Sequence, residues 1–210
     1  MGATSSTDSP PDVKSAPRAW EMVVAGYSMT AVALVAFLTI NGASGVPTAA
    51  TIGTAVLVII GLLLPTAGML RLRRSLARIE RASRYGFVMQ AIGLLGLLVG
   101  VVLVVEVSTL SAYILGAALV AAAGVSATIG AVLLRGHFRA ATANAMGVAY
   151  LILGTVLIFT GVGIIVGSDI AFEYLISQVE TTVYVDVGAT VSALGLVLAA
   201  YAFFVLHNRS

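Results

Sequence analysis

Charge and apolarity change along this chain in long blocks rather than residue by residue. Six stretches are almost free of charge. They run from Trp20 to Ile40, Ala49 to Leu70, Tyr85 to Val105, Ala112 to Leu134, Ala145 to Gly167 and Val183 to Leu206. Only Glu21 and Asp186 break them, both near an end. A helix needs about 20 apolar residues, at 1.5 Å each, to cross ~30 Å of hydrocarbon. Barrel strands are about half that length and alternate in polarity, which these runs do not. The pattern predicts an all-α polytopic membrane protein with six transmembrane helices over residues 20–206. It places a disordered, cytoplasmic tail at 1–19 and a short cytoplasmic C-terminus at 207–210.

Composition agrees with the bilayer as solvent. Of 210 residues, 60% are hydrophobic and 10% charged, where soluble proteins carry about 25% charge. Mean hydropathy is +1.07. A 21.4 kDa globule has too much surface for its volume to hide so much apolar area. A soluble enzyme, a disordered chain and a nucleic-acid-binding domain are therefore excluded. With no cysteine, disulfides, thiolate metal sites, Fe–S clusters and a cysteine nucleophile are excluded too.

The connectors set the orientation. Lys14 and Arg18 precede the first span. Arg71, Arg73, Arg74, Arg78, Arg81 and Arg84 lie between the second and third, Arg135 and Arg139 between the fourth and fifth, and Arg209 follows the sixth. All 11 basic residues thus fall on one side. The positive-inside rule makes that side cytoplasmic, with both termini inside and the cell membrane as the expected location. A signal peptide ending near Ala43-Ser44-Gly45 is the competing reading of the first span. Its apolar run is too long for a signal sequence.

Glycines repeat. Shifting the third span by 61 residues lays Gly86, Gly93 and Gly100 on Gly147, Gly154 and Gly161. Gly61 and Gly68, and Gly188 and Gly195, are also seven apart, and Gly96/Gly100 and Gly163/Gly167 form small-xxx-small pairs. Seven residues are two helical turns, so each trio marks one face on which backbones can approach. These six glycines are the expected helix-packing residues, and three tandem helical hairpins the expected organisation. By the same reasoning Ala118 and Ala193 are expected to face lipid.

Candidate chemistry is sparse. No charged residue falls near a membrane midplane, which argues against a carboxylate-coupled transporter or a retinal protein. His137 and His207 sit at span ends, too few for zinc and placed for water rather than for haem. No cofactor is expected. Gln90 and Tyr150, at matching depths, are candidates to face each other. Arg71, Arg74, Arg78 and Arg81 share one helical face, on an amphipathic helix or an extension of span two. They are expected to meet anionic lipid headgroups on the cytoplasmic side. At the outer margin Glu106 and Asp186 serve either to fix helix depth or as a shallow cation site. Asp169, Glu173 and Glu180 fall on one face of an expected interfacial helix at 168–182, with the same two readings.

Two functions fit: a non-enzymatic accessory subunit, scaffold or assembly factor acting by helix packing, and a small oligomeric channel or facilitator for an uncharged solute. Partners are expected to be lipid, other copies or other membrane proteins, and not nucleic acid.

Overall fold

A computed structural model describes residues 15–41, 48–75, 81–106, 109–141, 145–174 and 181–207. The described residues form six helices: α1 (Ser15–Asn41), α2 (Thr48–Ser75), α3 (Arg81–Glu106), α4 (Leu110–Ala141), α5 (Ala145–Tyr174) and α6 (Thr181–His207). Each contains a stretch long and apolar enough to cross a membrane. Several outrun their apolar segment. α2 continues through Arg71, Arg73 and Arg74 to Ser75, and α5 continues through Asp169 and Glu173 to Tyr174. Arginine is a good helix former, and a helix has no reason to stop where its side chains turn polar. The basic stretch is therefore, up to Ser75, an extension of span two. The first part of 168–182 extends α5 instead of forming a separate interfacial helix. Residues 1–14 of the expected tail lie outside the described residues, and α1 begins at Ser15.

Consecutive helices pack as antiparallel hairpins, α1 on α2, α3 on α4 and α5 on α6. α2 then touches α3, α4 touches α5, and α6 returns to α1, so the six form a ring. The outer surface is apolar, with Val32, Ile52, Ile114, Val125, Leu194 and Phe204 all exposed. Such a surface fits hydrocarbon and not water.

Within each hairpin the contact is backbone on backbone. A Cβ built on Gly86 would stand 2.9 Å from the Gly130 carbonyl oxygen, and one on Gly130 would stand 2.8 Å from that of Gly86. Gly100 and Gly116 are reciprocal in the same way, at 2.9 and 2.8 Å, and Gly93 meets the Ala123 carbonyl at 2.9 Å. In the third hairpin Gly154 and Gly195 face each other's carbonyls at 2.7 and 2.6 Å, and Gly161 and Gly188 do likewise. The Cα–H bond that replaces each Cβ points at a carbonyl across the seam. Such contacts contribute about 0.5–1 kcal/mol each, beside the dispersion gained from close approach.

The first hairpin uses the same scheme with a proline in it. Gly68 meets the Ala19 carbonyl, 2.8 Å from a built Cβ, and Gly26 meets that of Gly61, also at 2.8 Å. Pro65 has no N–H to give the Gly61 carbonyl four residues earlier. Gly26 approaches that freed oxygen and the proline ring together, which leaves no room for any side chain there.

The three hairpins are equivalent position by position. Ala19, Gly26 and Ala33 on α1 correspond to Gly86, Gly93 and Gly100 on α3 and to Gly147, Gly154 and Gly161 on α5. Thr54, Gly61 and Gly68 on α2 correspond to Gly116, Ala123 and Gly130 on α4 and to Gly188, Gly195 and Ala202 on α6. All are buried. Every helix carries a small residue every seventh position on its seam, a period that winds paired helices gently around each other. One expected packing glycine departs from the scheme: a Cβ on Gly147 would meet nothing within 4 Å.

Candidate functional site

The ring encloses a lumen that is filled at one end and hollow toward the other. At the termini end Trp20 of α1 packs against Phe87 of α3 with ring centroids 6.2 Å apart. Phe203 of α6 lies 5.9 Å from Trp20 and 5.9 Å from Tyr27, stacked on the latter. All four are buried, with Met69, Leu72 and Leu134 beside them. Trp20 and Phe87 occupy equivalent positions in the first and second hairpins, so their contact falls where the hairpins converge.

Toward the far end lies a cavity of about 140 Å³ between α1, α2, α3, α5 and α6. Its walls repeat the internal equivalence. Thr30, Leu97 and Ile158 are one equivalent set and Leu34, Val101 and Val162 another, one member from each first helix. Leu62 and Leu196 correspond on α2 and α6. On α4 the same position is Gly124, whose built Cβ would meet the Phe159 ring at 3.1 Å. A phenylalanine of the next helix thus lies against the position where the other hairpins carry a leucine. By the soluble-protein scale of ~24 cal/mol per Å³, an empty space of this size forgoes about 3 kcal/mol of packing.

Most polar groups near the lumen are satisfied locally, although Ser83 Oγ, buried at the start of α3, has no partner among the described residues. Gln90 is 1% exposed and its Nε2 donates to the Ala127 carbonyl at 2.8 Å and to Thr155 Oγ1 at 3.4 Å. It thereby ties α3 to α4 and to α5. Tyr150 does not meet it. That ring is half-buried and packs edge-on against Tyr201 of α6, centroids 5.6 Å apart. The expected pair is corrected: Gln90 turns to the interior on the α4 side, and Tyr150 turns to the α6 side. Ser126 Oγ donates to the Met89 carbonyl at 3.0 Å, a further α4–α3 link.

Of the expected lipid-facing arginines, Arg71 and Arg74 are exposed at the end of α2 and Arg81 at the start of α3. Arg71 also reaches Met22 Sδ at 3.4 Å. Arg78 lies outside the described residues. Of the outer carboxylates, Asp186 sits half-buried in α6 with Thr190 Oγ1 donating to its carbonyl at 2.7 Å. Glu106 ends α3, and Asp169 and Glu173 lie in the last turns of α5. Their side chains, those of His137 and His207, and all of Glu180 lie outside the described residues. Among the described residues no three His, Cys, Asp or Glu come together.

The outer surface is grooved between the second and third hairpins. Hollows of about 290 and 440 Å³ run between α4 and α5, lined by Ala117, Ala121, Gly124 and Thr128 on one wall and by Val156, Thr160, Gly163 and Gly167 on the other. Built Cβ atoms on Gly163 and Gly167 meet nothing within 4 Å. This small-xxx-small pair is exposed, and among the described residues nothing occupies the space a side chain would take there. Ala118 is exposed as expected, whereas Ala193 is 7% exposed and belongs to the interior. Sequence reasoning missed the small residues of α1 and α4 and the role of Pro65. The seven-residue spacing of alanine together with glycine carried that signal.

No protein-family model, curated protein or solved structure matches this chain.

The lumen is expected to exclude water. The natural absence of cysteine makes single-cysteine variants clean reporters. Leu98→Cys and Val162→Cys should resist a charged, water-soluble thiol reagent in membranes, while Ala82→Cys and Ser111→Cys, at exposed helix ends, should label fully. Labelling of the two lumen positions as fast as the end positions would refute the exclusion of water.

Proposed function

We propose that this chain is a non-enzymatic multipass protein of the cell membrane that acts by helix packing, as an accessory subunit, scaffold or assembly factor. The groove between α4 and α5 carries this reading. Lipid tails are as apolar as leucine, so helices in a membrane associate where small residues let backbones come close. The chain uses such residues along all three internal seams, and it displays a further set outward on α4 and α5, with a second hollow of about 360 Å³ between α1 and α6 that the bulky Val32, Tyr201 and Phe204 also line. A transmembrane helix of another polypeptide, with small or β-branched residues on the contacting face, fits that display. The channel reading loses support from Trp20, Phe87 and Phe203, which fill the lumen at the termini end.

In this reading both termini are cytoplasmic, and Arg71, Arg74, Arg78 and Arg81 meet anionic headgroups there. Each would contribute about 1 kcal/mol to surface attraction. The chain needs no cofactor and binds no nucleic acid.

Two measurements check the proposal. Reporter fusions at Ser44 and Ser108 should read external, and fusions at Ser75 and Thr142 internal; one robust inversion refutes the orientation. A photo-crosslinking residue at Ala121 or Gly163 should give an adduct with one polypeptide of defined mass in native membranes. The same probe at Ile52, on the outward face of α2, should give lipid adducts only. Lipid adducts alone from all three positions would refute action through the groove.

A further inference from the structure

We propose that the cavity at the far end of the lumen is a binding site for a small apolar group, a hydrocarbon moiety with no hydrogen-bonding atoms. The proposal is independent of the outer groove. Thr30, Leu97 and Ile158 form one tier of its wall and Leu34, Val101 and Val162 the next. The polar members of the wall are Thr30 and Ser192, and both hydroxyls are already engaged. Thr30 Oγ1 donates to the Gly26 carbonyl at 2.9 Å, and Ser192 Oγ donates to the Ile158 carbonyl at 3.1 Å. Both are also turned into glycine seams, against Gly61 and Gly161 respectively.

That arrangement decides what the space accepts. A buried water needs two to four polar partners, and a dry apolar cavity of ~150 Å³ takes benzene or xenon instead. At about 140 Å³ this cavity is of that size, and its walls are apolar, with Leu34, Val101 and Val162 half-buried toward its open end. The shape follows from the three hairpins. Equivalent side chains on α1, α3 and α5 approach one axis, and Leu34, Val101 and Val162 are too short to fill it. The same chemistry has two sources in a membrane: the end of a lipid acyl chain, and a free small hydrocarbon.

Xenon and toluene are the probes, used on the full chain purified in detergent. Either, at about a hundredfold excess over its Kd, should raise the midpoint of thermal unfolding by about 5–10 °C. Val162→Phe, which places a ring in the cavity, should abolish the response. Val101→Leu adds a single carbon to the same wall and should weaken it; that variant keeps the test decisive if the phenylalanine is not tolerated. Native mass spectrometry then separates the sources. A lipid retained by the parent and lost from the variants identifies an acyl chain, whereas probe binding without a retained lipid identifies a free hydrocarbon. No response in the parent, or an equal response in the parent and both variants, would overturn the proposal.

Discussion

Hydrocarbon solvent gives two apolar helices little reason to leave it for each other. What remains is contact between backbones, and that contact needs residues small enough to permit it. In this protein the permission is repeated along each hairpin. Gly86 and Gly130, Gly100 and Gly116, Gly154 and Gly195, and Gly161 and Gly188 each turn a Cα–H bond on the other's carbonyl. The first hairpin reaches the same geometry through Gly26 and the Gly61 carbonyl that Pro65 leaves free. Three hairpins built on one contact scheme have one shape. Their closure into a ring brings Trp20 against Phe87 and sets Leu34, Val101 and Val162 around one space.

At one position beside the seams the three hairpins are not equivalent. Gly124 stands at the position that Leu62 and Leu196 hold in the other hairpins, and Phe159 leans against it. The same glycine belongs to the wall of the outer groove. Gly124 thus lines the outer groove, whereas its leucine counterparts line the lumen. The inner cavity has a different origin, in equivalent side chains of α1, α3 and α5 that leave the space between them unfilled. One feature of the fold suits a partner helix, the other a small apolar group; Val166 of α5 lines both, and no residue of α4 does.

The spans were legible because charge in hydrocarbon is costly, which sets the six apolar blocks apart from the connectors. The contacts at Gly93 and Gly154 followed from spacing. Phase around a helix was harder to read. A soluble protein marks its outer face with polar residues, whereas here the outer face is as apolar as the core. Leu94 is 2% exposed and its neighbour Leu95 is 39% exposed, yet composition gives them the same description. For the same reason Ala193 read as lipid-facing and is buried, and Gly163 read as packed although it is exposed. The cavity was beyond the sequence altogether, because it depends on volume that three separate helices fail to supply. Gln90 was noticed for its polarity, but its partners on α4 and α5 required the fold.

The central claim is that small residues on the seams are required by backbone approach rather than tolerated by it. Gly→Ala isolates this, since it adds one methyl group and alanine is the better helix former by ~1 kcal/mol. Gly26, Gly93 and Gly154 are equivalent positions in the three seams, and Gly53, Gly163 and Gly167 have open space around them. Thermal unfolding in one detergent should show each seam variant destabilised, by about 1–3 kcal/mol for the overpacking, and each open-site variant unchanged or stabilised. Seam variants as stable as the parent, or a loss of the same size at the open sites, would contradict the account.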